Sequence, residues 1–293
     1  MITSTRCKGS NNKMDKKILI VGSTGLLGPY FIEQFCKEGQ VFAYGFSKGS
    51  NQADFTILDN VRSLIKKIEP DIVVNLAGYT DVDGCESNPG IAQNINTNIP
   101  SNIVQCISKH TKFIQISTDQ VYPNTSGPHN EKDTGPINVY GKTKLSGEKA
   151  AKLHDNTLIL RINLFGRSKT KGRKSLSDFF EESFRSNRHV KLYTDSIFSP
   201  LHMSTIAEIT RKMISRNIIG TYNLGSGDSI SKSNFALAIA DHFSLSTESS
   251  EEASSVNVLN RVGRSLDLSL NISKIEKVLS QSLPTIKEEI KKL

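Results

Sequence analysis

The sequence predicts an α/β fold, a doubly wound parallel sheet that carries a smaller, mostly C-terminal lobe. Short apolar runs alternate with amphipathic stretches over the first half of the chain. The apolar runs are rich in Ile, Val and Leu on both faces, which is typical of strands that helices cover on both sides. Strands that alternate with helices form βαβ units with right-handed crossovers, and such units build parallel sheets.

Five strands are predicted in the first half, at the apolar runs Ile18–Val21, Val41–Phe46, Ile72–Leu76, Phe113–Ile116 and Leu158–Leu160. Apolar residues at helical spacing predict the helices between them, at Leu26–Glu38, Val61–Ile68, Ile91–Lys109 and Val139–Leu153. Residues 14–166 are therefore interpreted as one sheet domain. Residues 1–13 are polar and show no periodicity, which predicts a flexible tail.

The second half has a less regular pattern, and it begins with a segment rich in Lys, Arg and Ser at residues 167–175. Helices are predicted at Leu176–Arg188, Asn234–Phe243, Ile275–Leu279 and Ile286–Leu293. Strands near residues 190–193 and 221–225 are expected to return to the sheet. Residues 167–188 and 196–293 then form most of a substrate-binding lobe over the carboxyl edge of the sheet.

Composition narrows the classes of protein that the chain can belong to. Its 293 residues are 37% hydrophobic and 23% charged, which excludes wholesale disorder. No run reaches the roughly 20 apolar residues that cross a bilayer, and the first 17 residues lack the apolar block of a secretory signal, so we expect a cytoplasmic protein without membrane contact.

Charge points to anionic partners. The 37 basic and 29 acidic residues give a formal charge of +8, but the basic residues are dispersed, Trp is absent and aromatics do not alternate with them. Binding to nucleic acid is therefore disfavoured, and a small phosphate-bearing ligand is favoured. The four cysteines show no metal-binding spacing, and no metal site is predicted.

A glycine-rich turn follows the first predicted strand and opens the first helix. It reads Gly22-Ser-Thr24-Gly25-Leu26-Leu27-Gly28. Glycine permits the tight turn and lets the backbone approach a diphosphate, and the helix N-terminus presents free N–H groups. At the start of a βαβ unit this pattern predicts dinucleotide binding by these residues, against a purely structural turn.

The choice of cofactor depends on the end of the second strand. A carboxylate there would bind the adenosine ribose of NAD, but the segment reads Gly45-Phe46-Ser47-Lys48. Ser47 and Lys48 are candidates to contact a 2′-phosphate, so NADPH is favoured. The alternative, that Lys48 is a solvated loop residue and NADH also binds, stays open.

Three residues in the sequence indicate a site that donates a proton to a substrate carbonyl. Tyr140 and Lys144 lie four residues apart on one helix face, and Thr118 ends a predicted parallel strand at the edge where α/β sheets bind ligands. Reduction of a ketone requires a hydride from a nicotinamide and a proton for the oxygen. We expect Tyr140 to donate that proton, Lys144 to lower the pKa of the phenol from about 10, and Thr118 to bond the carbonyl oxygen.

The sequence around these residues resembles the dTDP-4-dehydrorhamnose reductase family, a branch of the extended short-chain dehydrogenases/reductases with a Rossmann domain. The resemblance is carried by the GxxGxxG spacing, Ser117–Tyr122, Pro136–Ala150 and Asn75–Glu86. Asn96 falls where the family has a helix asparagine near the active site. The similarity runs from about Lys16 to the C-terminus.

This resemblance implies NAD(P)H-dependent reduction of the C4 ketone of a nucleotide-linked 4-keto-6-deoxyhexose, with dTDP-4-dehydro-L-rhamnose, the precursor of dTDP-L-rhamnose, as the leading substrate. It implies further cofactor contacts, beside Tyr140 and Lys144, from Asp54, Ala77, Gly78, Tyr79 and Thr80. It also implies substrate contacts from Asp83, Asp119, Gln120 and Asn163.

Departures from the family pattern leave the sugar open. Gln120 stands where an aromatic residue is usual, Pro123 replaces a common acid, and Ser196 and Leu201 differ from the usual Gln and Thr. Two alternatives therefore remain. One is a reductase or epimerase of another nucleotide sugar, such as a UDP-linked acetamido sugar. The other is a non-catalytic NADP-binding regulatory subunit, because the methionine adenosyltransferase β subunit shares this fold and the same tyrosine–lysine region.

Some members of the family hold Mg²⁺ at a glutamate-rich contact between two subunits. Glu288 and Glu289 do not establish such a site and are interpreted as a solvated acidic pair. Whether the chain forms a homodimer stays open.

Overall fold

A computed structural model describes residues 16–46, 51–256, 258 and 262–293 of the chain. The predicted tail at residues 1–13 lies outside the described residues. The strands are β1 (Lys16–Val21), β2 (Gly39–Tyr44), β3 (Ile72–Asn75), β4 (Lys112–Thr118), β5 (Thr157–Ile162), β6 (Leu164–Phe165), β7 (Val190–Tyr193), β8 (Ile197–Phe198), β9 (Leu201–His202), β10 (Gly220–Leu224), β11 (Ile230–Ser231), β12 (Ser250–Ala253) and β13 (Asp267–Leu268).

The α-helices of the described chain are α1 (Gly28–Phe35), α2 (Leu58–Ile68), α3 (Val82–Ser87), α4 (Pro89–Gln93), α5 (Ile99–Cys106), α6 (Val139–Ala151), α7 (Leu176–Arg185), α8 (Met203–Ser215), α9 (Lys232–His242), α10 (Ser273–Leu279) and α11 (Ile286–Ile290). A π-helical turn at Asn94–Asn98 joins α4 to α5, so the single helix predicted at Ile91–Lys109 is three pieces. Pro100 lies in the first turn of α5, because a proline is tolerated there but not in a helix interior.

The central sheet has six strands in the order β10-β5-β4-β3-β1-β2, and every neighbouring pair is parallel. The prediction of a doubly wound parallel sheet is thus confirmed. The chain moves outward from β1 to β2 and then returns to place β3 on the other side of β1. Ligands bind beside the carboxyl ends of the strands at such a reversal, which identifies the edge where the site is expected.

The strands are apolar on both faces because both faces are covered. Ile18 and Ile20 of β1 belong to a core cluster on one face of the sheet, and Leu19 and Val21 belong to the cluster on the opposite face. Helix α8 contributes to the first cluster and was absent from the predicted elements. Its apolar residues recur at helical spacing from Met203, so the sequence does carry a signal for this helix.

Strand β7 does not return to the central sheet, contrary to the expectation for residues 190–193. It pairs in parallel with β12, in a separate two-stranded sheet. Its residues alternate between buried and exposed, unlike the fully buried strands of the central sheet. The expectation for residues 221–225 is confirmed, because β10 pairs with β5 at the edge of the central sheet. A separate apolar cluster around Phe180, Phe198 and Phe235 forms the core of the lobe.

Candidate active site

The predicted proton-delivery residues meet at the carboxyl edge of the sheet. Thr118 is the last residue of β4. Helix α6 begins beside it. The helix starts after Asn138, because the Asn138 side chain accepts a hydrogen bond from the Gly141 N–H at 2.8 Å and caps the helix. Tyr140 and Lys144 follow one turn apart on α6. All three side chains are buried, with 5–7% of each residue exposed.

Tyr140 lies against Cys85 and Ala92, in a small apolar cluster beside the sheet edge. Burial raises the pKa of its phenol, and the nearby carboxylate of Asp119 raises it further, while a hydrogen bond with the Thr118 hydroxyl opposes the shift. The predicted lowering of this pKa is therefore wrong for the structure as it stands. Desolvation outweighs the hydrogen bond with Thr118, and the phenol holds its proton at neutral pH.

Lys144 directs its ammonium group into the strand edge. Its Nζ donates a hydrogen bond to the Ile116 carbonyl at 2.7 Å. Burial lowers the pKa of Lys144 to about 8, and the charge of Glu148 opposes this shift. A methyl group on Gly78 would stand 3.7 Å from Nζ, so the loop after β3 borders the lysine.

Three of the predicted substrate residues surround Thr118. Asp119 is buried, and it accepts hydrogen bonds from the Thr118 hydroxyl at 3.1 Å and from the Asn163 amide at 2.5 Å. Burial raises the pKa of Asp119 to about 6, and these bonds and the charge of Lys232 oppose the shift. Gln120 is half-buried beside them, and its side chain lies 3.4 Å from the Asn138 amide. Lys232, at the start of α9, is a lobe residue that no motif in the sequence singled out.

The glycine-rich turn is built for close backbone contact. Gly22 has φ +82°, and a Cβ there would lie 2.6 Å from the Ala77 backbone nitrogen. A Cβ on Gly28 would lie 1.9 Å from the Ser23 carbonyl oxygen, so the helix packs closely against the turn.

The same turn fits a diphosphate. The backbone N–H groups of Thr24, Leu26 and Leu27 have no acceptor within the described residues, and no side chain caps α1. The first turn of α1 contains no acidic residue. Free donors, a helix N-terminus and the absence of a competing carboxylate are what an anionic group requires.

The end of β2 is described only in part. Phe46 is exposed at this point, and Ser47 and Lys48 lie outside the described residues. The Asp54 carboxylate accepts bonds from the backbone and hydroxyl of Thr56, at 2.9 and 2.5 Å, and so shapes the turn before α2.

The loop after β3, residues 77–80, is held by one buried amide. Asn96, in the π-helical turn, accepts from the Tyr79 N–H at 2.9 Å and donates to the Tyr79 carbonyl at 3.1 Å. It also donates to the Thr143 hydroxyl of α6 at 3.1 Å. Ala77 thereby lies beside Gly22 of the glycine-rich turn, and Gly78 lies beside Lys144.

Asp83 has a different setting from the other predicted substrate residues. Its carboxylate forms an ion pair with Arg264 at 2.8 Å and accepts from the Val262 N–H at 2.9 Å. The Gly263 carbonyl accepts from the Asn138 amide at 3.1 Å. Asp83 therefore fastens residues 262–264 of the lobe beside the start of α6.

A buried ion pair behind the site was not predicted. Arg161 of β5 bonds Glu148 of α6 through two nitrogens at 2.9 and 2.6 Å, and both side chains are 1% exposed. The Ser117 hydroxyl donates to the same carboxylate at 2.5 Å. Glu148 lies four residues beyond Lys144 and eight beyond Tyr140, so the spacing alone contained a signal for a third polar residue on this face.

The two glutamates near the C-terminus differ from each other. Glu288 caps α11 with Thr285, but Glu289 is fully buried, where it accepts from the His202 N–H at 2.9 Å. Interpretation of Glu289 as solvated was therefore wrong. Among the residues that the structure describes, no group of three possible ligands is placed to hold a metal ion. Nor does any described helix have the length and apolar character needed to span a bilayer.

Comparisons with known proteins assign the chain to a family. A family model described as "RmlD substrate binding domain" matches residues 16–293. A probable low-salt glycan biosynthesis reductase, Agl14, of Haloferax volcanii is 28% identical over 284 residues, which are 92% of this chain and 95% of the relative. Methionine adenosyltransferase 2 subunit beta of Rattus norvegicus is 30% identical over 248 residues, 80% of this chain and 74% of the relative.

The fold is also that of a solved structure. The dTDP-4-dehydrorhamnose reductase of Bacillus anthracis, in complex with NADP, superposes with a TM-score of 0.85 at 23% identity, over 95% of this chain and 98% of that one.

Proposed function

Because the chain belongs to the RmlD substrate binding domain family, we propose that it is an NAD(P)H-dependent reductase of the C4 ketone of a nucleotide-linked 4-keto-6-deoxyhexose. The leading substrate is dTDP-4-dehydro-L-rhamnose, reduced to dTDP-L-rhamnose. One observation carries the proposal. Thr118, Tyr140 and Lys144 converge, buried, at the sheet edge beside a glycine-rich turn whose free N–H groups suit a dinucleotide.

Each side chain has a role that its setting supports. When bound at the turn, the nicotinamide cofactor supplies the hydride. Tyr140 holds its proton at neutral pH, as the donor to a ketone oxygen must. The Thr118 hydroxyl, which interacts with Tyr140, bonds the same oxygen and stabilises the charge that develops on it.

Lys144 provides a fixed positive charge in a buried setting. Its Nζ has donors to spare after the bond to Ile116, because an ammonium group has three. We assign these donors to the ribose hydroxyls of the cofactor, beside the loop of residues 77–80. We assign Asp119, which bonds Thr118 and Asn163, to the sugar together with Gln120 and Asn163. Asp83, which pairs with Arg264, is assigned to the loop that borders the sugar.

A second function is favoured by one relative, the methionine adenosyltransferase subunit at 30% identity. A chain in that role would bind the dinucleotide without turnover. The intact Thr118, Tyr140 and Lys144 favour catalysis. Because the regulatory subunit resembles this chain in the tyrosine–lysine region, a measurement of turnover separates the two functions.

Cofactor and location follow from the same chemistry. The glycine-rich turn suits either dinucleotide. The sequence at the end of β2, Gly45-Phe46-Ser47-Lys48, contains no acidic residue, which supports NADPH as the cofactor and NADH as the second choice. Both dinucleotides and nucleotide sugars are cytoplasmic metabolites, and we place the protein in the cytoplasm. We expect no membrane or nucleic-acid partner, and leave a homodimer as an arrangement to be measured.

The test is a panel of dTDP- and UDP-linked 4-keto sugars scored by NADPH oxidation. Rapid oxidation with the 4-keto-6-deoxy compounds is expected, and Tyr140→Phe lowers turnover by at least about 1,000-fold. The matched control is Tyr222→Phe, because Tyr222 lies on the edge strand β10 and its hydroxyl has no hydrogen bond within the described chain. Full turnover in Tyr140→Phe would disprove the assigned donor, and dinucleotide binding without oxidation of any substrate would favour the regulatory role.

A further inference from the structure

The basic segment at residues 167–174 lies against the glycine-rich turn. Thr170 donates a hydrogen bond from its hydroxyl to the Gly25 carbonyl at 3.2 Å. The Tyr30 hydroxyl of α1 donates to the Arg167 carbonyl at 2.7 Å. Two hydrogen bonds thus attach this segment, which we call the basic loop, to the dinucleotide-binding half of the molecule.

The basic loop is also attached to the lobe. The Ser168 N–H donates to the Asp178 carboxylate of α7 at 3.0 Å. Arg167 forms an ion pair with Glu181 at 3.3 Å, and its side chain also donates to the Leu293 carbonyl at 2.7 Å. Contacts to α1 on one side and to α7 on the other hold the loop in one place.

Five cations lie in the basic loop, and three of them have acidic partners. Arg167 pairs with Glu181, Lys169 with Glu33 of α1, and Lys174 with Glu182 of α7. These partners lie in α1, which belongs to the dinucleotide-binding half, and in α7, which belongs to the lobe. The three pairs therefore account for how the loop is held.

The other two cations, Lys171 and Arg173, form no ion pair or side-chain hydrogen bond within the described residues, and both are exposed. They lie in a turn closed by the bond from the Arg173 N–H to the Thr170 carbonyl at 3.1 Å, with Gly172 at φ +78°. That turn is the part of the loop that Thr170 attaches to Gly25. Two unpaired positive charges are thus carried next to a set of unused backbone donors.

We propose that Lys171 and Arg173 bind the diphosphate bridge of the dinucleotide from the side opposite the glycine-rich turn. The proposal rests on the proposed function, since it requires that the turn binds a dinucleotide. Backbone N–H groups of the turn would contact one side of the diphosphate, and the two cations would neutralise its charge from the other. Guanidinium and ammonium groups bind phosphate oxygens through charge-assisted hydrogen bonds.

The diphosphate is common to NADPH and NADH, and this sets the expected result. Lys171→Ala/Arg173→Ala should weaken the binding of both reduced dinucleotides by a similar factor, about tenfold, measured by titration of nicotinamide fluorescence at low ionic strength. The loss should shrink as salt is added, because the contacts are exposed. Lys171→Arg/Arg173→Lys keeps both charges and should restore binding to within about threefold of the wild type.

The matched control is Lys109→Ala/Lys152→Ala. It also removes two positive charges, and both of these lysines are exposed at the amino edge of the sheet, where β4 and β5 begin. This control should bind both dinucleotides as the wild type does. Equal thermal midpoints for the wild type and the two alanine variants would show that the loop variant folds.

Three results would overturn the proposal. One is binding in the loop variant that equals binding in the control. Another is a loss confined to NADPH, which would mean that the cations contact a 2′-phosphate. The third is unchanged dinucleotide binding with weakened binding of dTDP or UDP, which would assign the cations to the substrate. A wild type that binds neither dinucleotide would instead disprove the proposed function, so the two failures are distinguishable.

Discussion

Two buried lysines, one near each end of β4, show how similar chemistry serves different purposes. Lys112 starts the strand at the amino edge of the sheet, and Lys144 lies beside its last residues at the carboxyl edge. Burial lowers the pKa of both to about 8. Each ammonium group donates to a backbone carbonyl at 2.7 Å, that of Ile218 for Lys112 and that of Ile116 for Lys144.

Their surroundings separate them. Lys112 also donates to the Asn156 side chain at 3.1 Å, and so joins the starts of three neighbouring segments. Lys144 borders the loop of residues 77–80 and lies one helical turn from Tyr140. A lowered lysine pKa therefore does not identify a functional site in this fold. The edge of the sheet does, because ligands approach the carboxyl ends of parallel strands.

Exchanging each lysine for methionine gives the largest expected difference. Lys144→Met should lower kcat/KM by about 100- to 1,000-fold, because the charge near the cofactor ribose and the reacting oxygen is lost. Lys112→Met should leave kcat/KM of the folded enzyme within about threefold of the wild type, because this lysine lies at the opposite edge from the site. The measurement is steady-state NADPH oxidation, and a comparable loss in both variants would contradict the distinction between the two edges.

Asp119 should make the stability of the carboxyl edge depend on pH. Its pKa is raised to about 6 in the folded state, against about 3.9 unfolded, so its neutral form is favoured by folding. Stability from this group is complete below about pH 4 and is lost as the pH rises through about 6. Between about pH 4 and 7, the free energy of unfolding should fall by about 2 kcal/mol more in the wild type than in Asp119→Asn.

Urea denaturation of the two proteins at a series of pH values measures this difference. The comparison between variants removes the contribution of every other titrating group. Parallel curves for the wild type and Asp119→Asn would show that the carboxylate is better solvated than its burial indicates.

Lys112 should produce a dependence of similar size and opposite sign at the amino edge. Because its folded pKa lies at about 8 and its unfolded pKa at about 10.4, the unfolded chain holds the proton more tightly in that window. Between about pH 8 and 10, the wild type should gain about 2 kcal/mol of unfolding free energy relative to Lys112→Met. Because burial lowers the pKa of Lys144 to about the same value, Lys144→Met should lose a gain of similar size, and parallel curves for the wild type and Lys112→Met would contradict the lowered pKa of Lys112.

The local parts of the molecule were predictable from its residues. Strands β1, β3, β4 and β5 each contain a short apolar segment, and the alternation of strands with helices is enough to predict a parallel sheet. Tyr140 and Lys144 are four residues apart on one helix, so their common face also follows from local geometry. The family resemblance, which is confirmed, rests on such short segments.

Other parts depend on contacts between distant residues. The Glu148–Arg161 pair joins a helix to a strand, and Asp83 meets Arg264 across 181 residues. Strand β12 could not be predicted, because Ser250–Ala253 is polar and becomes a strand only through its partner β7.

Local sequence is thus sufficient for the strands of the central sheet, the glycine-rich turn and the residue types available at the carboxyl edge, because each of these depends on neighbours within a few positions. Which charges are buried and which meet was settled by the packing of distant segments, and so were the protonated state of the Tyr140 phenol and the position of the basic loop on the glycine-rich turn. Desolvation and ion pairing depend on what surrounds a group in space, and spacing along the chain does not specify those surroundings.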